Sequence, residues 1–388
     1  MIDRNVFDTD TITEMFHQRT VTTPDFVAYE FMRGEEWVRV TYNEYGKQVE
    51  YAALGLNQLG VGPKDSVAIW GDTMPEWTIC ALGTMATGAH IAGIYQTSTP
   101  EQAAYILNDS KSRILCVDRV SRLDSLQPFR DQLGHLEKII VWTERPTTGW
   151  AQDFLPDVME LGRETAAEAK GAYDVLRAQV SPDDYACLVY TSGTTGMPKG
   201  VILTHNNCMT NAKNLFTEDL YERGDSVVAF LPMSHVAEFT AFLGRLLGAL
   251  TAFFCPEFAK VPQTMKDKKP TILVAVPRVY EKVHKKITTT IEAAPERRRK
   301  LFEWAWGLGD QVARLRGENK PIPYALYAKH LVADRLVLSK VRAQLGGNLR
   351  VMITAAAPID PEIIHFFNGV GLPMLEAYGP VSFTHLTL

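Results

Sequence analysis

The run Tyr190–Gly200, YTSGTTGMPKG, constrains this chain more than any other stretch of its length. It contains the steps Ser192-Gly193 and Thr195-Gly196, hydroxyls on Thr191, Ser192, Thr194 and Thr195, and one lysine, Lys199. Apolar residues lead in (CLVY) and lead out (VILT). The spacing therefore predicts a strand, a hydroxyl-rich loop and a second strand. Gly193 and Gly196 accept positive φ and let backbone N–H groups approach a ligand closely. The hydroxyls donate to oxyanions, and Lys199 adds a point charge. Glycine and threonine also punctuate ordinary surface turns. The length and composition together favour a cradle for an oxyanion-rich group.

The loop is neither of the two commonest phosphate loops. A Walker loop needs glycine immediately before the lysine and Ser/Thr after it, whereas Pro198 precedes Lys199 and Gly200 follows. The dinucleotide fingerprint opens directly into a helix, which VILT does not. The run resembles, nearly letter for letter, the signature of the adenylate-forming superfamily of AMP-dependent synthetases and ligases. That superfamily includes acyl-CoA synthetases, luciferases and the adenylation domains of peptide synthetases. The resemblance implies an α/β fold: a large N-terminal domain of mostly parallel sheets covered by helices. It also implies that Thr191, Ser192, Gly193, Thr194, Thr195, Gly196 and Lys199 hold the β- and γ-phosphates of ATP while a carboxylate attacks the α-phosphate.

Composition narrows the class. The chain has 388 residues and a net charge of −5, which argues against a general nucleic-acid-binding surface. Its five cysteines, Cys80, Cys116, Cys187, Cys208 and Cys255, form no CxxC pair and sit mostly among apolar neighbours, so reduced structural thiols in the cytoplasm are expected. The N-terminal MIDRNVFDTDTITEMF has early acids and no apolar core, unlike a signal peptide. The greasy stretches Trp77–Pro100 and Phe239–Pro256 fall short of the ~20 clean apolar residues of a membrane span. Peripheral contact with a membrane surface stays open.

Helix and strand signals alternate along the chain, which predicts a largely parallel, doubly covered sheet. Strands are expected at Trp37–Tyr42, Ser66–Trp70, His90–Tyr95, Arg113–Val117 and Lys138–Trp142. Three pairs read as capping boxes: Thr41 with Glu44, Thr73 with Glu76, and Thr99 with Gln102. Further strands are expected at Val227–Leu231, Ala252–Cys255, Ile272–Val276 and Leu349–Ile353. Glu292–Gln344 reads as two or three helices broken by Pro321-Ile322-Pro323. Thr143–Pro156 reads as a surface connection between subdomains.

Three more segments carry the resemblance. In LPMSHVAE, His235 follows an apolar strand; on composition alone it is a packed or helix-capping residue. The resemblance instead places it at the junction of acyl and nucleotide sites, orienting the carboxylate. VPRVYEKV, Val276–Val283, reads equally as a strand end with a proline-started helix and as the segment typical of long-chain acyl-CoA synthetases. TAAAPID, Thr354–Asp360, with EAYG, Glu376–Gly379, matches the adenine pocket: Ala356, Ala357, Pro358, Tyr378 and Gly379 would frame the base. Asp360-Pro361 also caps a helix by ordinary rules, and both readings hold together. The basic stretch Ala259–Lys300 is either a solvated helix face or a surface for anionic lipid or coenzyme A phosphates.

The resemblance covers residues 1–379 and then stops. The family continues Tyr-Gly-x-Thr-Glu, whereas Tyr378-Gly379 is followed here by PVSFTHLTL. The Thr-Glu pair, whose glutamate holds Mg²⁺, is missing, so the metal ligands are unknown. The expectation is a truncated chain lacking the small C-terminal domain, with residues 380–388 foreign to the family and little or no acyl-CoA formation by itself. The parent activity implied is a long-chain fatty acid–CoA ligase using a fatty acid, ATP, Mg²⁺ and coenzyme A. Rival readings are an acyl-AMP ligase serving a carrier protein and a non-catalytic nucleotide- or acyl-binding protein.

Overall fold

The computed structural model describes residues 4–146, 150, 152–191, 197–216 and 221–377. Its strands, in chain order, are β1 (Val27–Arg33), β2 (Glu36–Thr41), β3 (Ser66–Trp70), β4 (His90–Ile94), β5 (Ile114–Val117), β6 (Lys138–Val141), β7 (Gln152–Phe154), β8 (Tyr185–Thr191), β9 (Lys199–Thr204), β10 (Ser226–Ala229), β11 (Thr251–Phe254), β12 (Ile272–Ala275), β13 (Val351–Thr354) and β14 (Met374–Glu376). The chain divides into two compact units. Among the described residues, the first comprises those within 4–224 and 229–256; the second comprises 225–228 and 257–377.

In the first unit a seven-stranded sheet runs β7-β6-β5-β3-β4-β8-β9. Every pairing is parallel except β8 with β9. SVAIW, HIAGI and ILCV are buried along their whole length. Near-continuous apolar strands are what a sheet covered on both faces requires. A smaller set, β11-β1-β2, joins a parallel pair to a hairpin. In the second unit β10, β12, β13 and β14 lie side by side, all parallel. The expected α/β architecture is thus present.

Local signals explain most helix starts. Thr41/Glu44 and Thr99/Gln102 form reciprocal capping boxes. Thr73/Glu76 does not. The N-cap of helix Pro75–Ala86 is Met74, and the Thr73 hydroxyl donates instead to the Leu231 carbonyl at 2.6 Å. Proline at the first helical position shifted the start by one residue and left the threonine outside its reach. A second correction concerns Thr143–Pro156. Both flanks belong to the first unit, and β7 within the segment pairs with β6, so it extends one sheet and does not join subdomains. All five cysteines are buried. No helix among the described residues is long and apolar enough to cross a membrane.

Candidate active site

The root of the glycine–hydroxyl loop is an antiparallel hairpin in which Thr191 faces Lys199 and Tyr190 faces Gly200. Ser192, Gly193, Thr194, Thr195 and Gly196 lie outside the described residues. The root is braced from below. The Tyr190 hydroxyl donates to Asp109 Oδ2 at 2.7 Å. Burial first, and the Asp109 carboxylate second, push the phenol far above its ordinary range, so it remains a donor. A Cβ on Gly200 would stand 3.0 Å from the Tyr190 ring. The last glycine of the run therefore makes room for an aromatic ring. Lys199 is exposed and makes no ion pair with any described residue, leaving its ammonium available to an anion.

His235 lies on the loop between β10 and helix Val236–Gly248, and it is the N-cap of that helix. Its Nδ1 accepts the Ala237 N–H at 3.1 Å. The ring proton must then sit on Nε2. Burial lowers the imidazole's pKa, which keeps it neutral near pH 7 and makes Nε2–H a fixed donor. The ring meets Tyr95 edge-on, with centroids 6.1 Å apart. Ser234 packs against β4 where that strand has no side chain: a Cβ on Gly93 would come within 3.0 Å of Ser234 Cβ. With Thr73 holding Leu231, this loop is fastened at the carboxyl ends of β3 and β4.

That position is the reversal point of strand order, because β4 flanks β3 on one side and β5 on the other. Open α/β sheets bind ligands at such a point, outside the carboxyl ends. The root of the glycine–hydroxyl loop hangs from the same edge. β8 is the parallel neighbour of β4, with Val189 opposite Gly93, and Thr191 ends β8. The structure thus brings Thr191, Lys199 and the His235 loop to one edge on adjoining strands. Gly93, Tyr95 and Asp109 were not singled out in the sequence. The carboxyl-end rule applied to HIAGIY would have found Tyr95; Gly93 and Asp109 carry no local signal.

The helix behind His235 is rigidly held. Glu238 and Arg245 form a buried ion pair at 2.7 Å. Arg19 Nε donates to the Leu246 carbonyl at 2.7 Å, and its Nη2 to that of Leu247, closing the helix's carboxyl end. Beyond β9, Thr204 and Asn207 form a capping box missed in the sequence because asparagine replaces Glu/Gln. His205 follows. Its Nδ1 accepts the Ile12 N–H at 3.2 Å, and burial lowers its pKa to about 4.

The second unit carries the remaining predicted residues. After β13 the chain turns through Ala355–Pro358, with Ala356 at φ 76°. This left-handed backbone is unusual for alanine and marks a tightly specified turn. Ala357 and Pro358 are exposed. Asp360 caps helix Pro361–Gly369 through Glu362 N–H at 2.9 Å, and the Ile359 N–H donates to Glu376 Oε1 at 3.4 Å. Tyr378 and Gly379 lie outside the described residues. In VPRVYEKV, Pro277 starts a helix, and the buried Tyr280 hydroxyl lies 2.9 Å from the carbonyl oxygens of Leu273 and Ile353. This tyrosine ties β12 to β13. Among the described residues no group of three or more His, Cys, Asp or Glu side chains is placed to hold a metal ion.

The sequence pattern of AMP-binding enzymes matches residues 16–387. The chain belongs to the AMP-binding enzyme family. Human long-chain-fatty-acid–CoA ligase ACSBG1 is 33% identical to it over 383 residues, covering 95% of this chain and 51% of that protein. Long-chain-fatty-acid–CoA ligase FadD15 of Mycobacterium bovis is 32% identical over 373 residues, covering 95% and 60%. This AMP-binding chain thus spans about half to three-fifths of the length of those relatives. The N-terminal domain of FACL13 from Mycobacterium tuberculosis, solved with an inhibitor bound, superposes with a TM-score of 0.69 at 20% identity, covering 95% of this chain and 76% of that one. That likeness establishes a shared fold.

Proposed function

We propose that this chain carries the adenylating part of a long-chain fatty acid–CoA ligase. A fatty carboxylate oxygen attacks the α-phosphorus of ATP; the bond to the bridging oxygen breaks, giving acyl-AMP and pyrophosphate. The thiolate of coenzyme A then attacks the acyl carbon and AMP leaves. The observation that carries the reading is the pairing of Lys199 and the Nε2–H of His235 at one carboxyl edge. One is a mobile cation suited to phosphate oxygens and the other a fixed neutral donor suited to orienting a carboxylate. The names of the relatives supply the acyl class.

In this reading Thr191, Ser192, Gly193, Thr194, Thr195, Gly196 and Lys199 grip the triphosphate tail. His235 orients the acid without taking its proton, because burial disfavours its charged form. Ala356, Ala357, Pro358, Tyr378 and Gly379 frame adenine. Mg²⁺, if bound, would offset phosphate charge; no residue of this chain is assigned to it. Residues 1–379 form the N-terminal nucleotide-binding part of the enzyme. The assigned compartment is the cytoplasm, which suits five buried cysteines with no CxxC pair among them, with peripheral contact at a membrane.

Calorimetric titration of the chain with ATP tests the reading. Lys199→Ala should weaken ATP at least about tenfold, the scale of a lost charge-assisted contact. His235→Ala should leave ATP affinity nearly intact and weaken a non-hydrolysable palmitoyl-adenylate analogue. ATP binding indifferent to Lys199, or no ATP binding by a folded chain, overturns the proposal.

A further inference from the structure

Between β12 and β13 the second unit makes a long helical excursion whose surface does not suit bulk water. Helices Glu296–Gly317 and Tyr324–Ala333 are joined by residues 318–323 and continued by a π-helical turn, Asp334–Leu338. They pack through a compact apolar cluster: Ala305, Ala333 and Leu338 are buried together with Leu308 and Val337 against them. In Tyr324–Ala333 the inward stripe is Leu326, His330 and Ala333 at helical spacing. A second stripe, Tyr324, Tyr327 and Leu331, about a third of a turn round the helix, is apolar too, yet Tyr324 is 86% and Leu331 52% exposed. Val332 beside it is 53% exposed. A helix with a second apolar stripe in solvent is an unfinished interface.

The neighbouring helix adds charge. Arg297, Lys300, Leu301 and Trp304 share one outward face at i, i+3, i+4 and i+7, and Trp304 is 43% exposed. Arg298 joins Lys282, Lys285 and Lys286 in lining an open cleft of about 850 Å³ with Thr289 and Thr290. From Lys282 to Lys300 the chain carries seven lysines and arginines against two acids. Exposed tryptophan and tyrosine beside clustered cations is the composition that settles at a lipid headgroup boundary, rings in the interface and cations on phosphates. Isologous pairing of two copies through this face would instead bring two cationic runs into one interface.

We infer that this excursion, Lys282 to Leu336, docks the protein on an anionic lipid bilayer, with Trp304, Tyr327 and Leu331 inserted at the interface and the Lys282–Lys300 cations on headgroup phosphates. The inference needs no turnover and stands if the ligase reading fails. Sedimentation of the 388-residue chain with vesicles of phosphatidylcholine alone, or with phosphatidylglycerol at three parts in ten, tests it. Binding should appear only with the anionic vesicles and fall as NaCl rises from 50 to 300 mM. Arg297→Glu/Arg298→Glu/Arg299→Glu and, separately, Trp304→Ser/Leu331→Ser should each weaken it by at least about tenfold, with thermal unfolding unchanged. Brominated lipid should quench wild-type fluorescence, and Trp304→Phe should remove most of that quenching while the protein still sediments. Equal binding to neutral vesicles, no binding, or indifference to both sets of substitutions overturns the inference. So does a monomer–dimer equilibrium abolished by the same substitutions without vesicle binding, which would assign the face to a second copy.

Discussion

Two apolar helices in this molecule meet opposite fates. Val236–Gly248, in the first unit, buries ten of its thirteen residues, including both members of the Glu238–Arg245 pair. Tyr324–Ala333, in the second, buries only Ala333. Their side chains are similarly greasy, so composition did not decide. What decided was the supply of covering surface. The first helix also has partners for the carbonyls at its carboxyl end: Tyr42 donates toward the Arg245 and Leu250 carbonyls, and Arg19 donates to that of Leu246. The second helix satisfies one stripe and presents the other outward. A buried polar group is thus a requirement on the structure, whereas an exposed apolar one is an opportunity for something else to bind.

The largest expected effect tests the first half of that contrast. Arg245→Met leaves Glu238 buried without its partner and should cost about 3–5 kcal/mol by urea unfolding. Glu238→Leu/Arg245→Met, which removes both charges, should come within about 1 kcal/mol of wild type. If the single substitution were as mild as the double, the pair would not be the constraint described.

The next effect concerns pH. His205 titrates at about 4 in the folded chain, against about 6.5 when unfolded. Between those values the unfolded chain binds a proton that the native one refuses. Its contribution is therefore complete above pH 6.5 and is lost as pH falls toward 4, by roughly 3 kcal/mol. His205→Asn retains an acceptor for the Ile12 N–H and should flatten the urea midpoint between pH 7 and 4.5 relative to wild type.

The smallest effect tests the other half of the contrast. Leu331→Ser on the outward stripe should change stability by no more than about 0.5 kcal/mol, as expected for a surface site. A loss above about 2 kcal/mol would mean that the stripe is covered in the folded protein.

The sequence was most readable where local chemistry and burial agree. Runs such as SVAIW and ILCV announced buried parallel strands, and Thr41/Glu44 and Thr99/Gln102 announced helix starts. It misled where a long-range bond outcompeted a local one, as at Thr73, whose hydroxyl turns to Leu231. It was silent at β1, where Glu30 interrupts the apolar pattern; the charge is met across the strand pair by Arg39 at 3.2 Å, which no local rule reports. The site shows the same division. The residue types of the loop and His235 could be read directly. That His235 is a fixed Nε2 donor could not, since the tautomer follows from one backbone N–H. Nor could the role of Gly200, which depends on a ring across the hairpin.

The five buried thiols all fall in the first unit, and that distribution gives the molecule an internal clock. A thiol-reactive reagent can modify Cys80, Cys116, Cys187, Cys208 or Cys255 only when that unit opens, while loosening of the second leaves no chemical trace. Labelling rate against denaturant would therefore time the two units separately: alkylation would follow one, and total ellipticity would follow both.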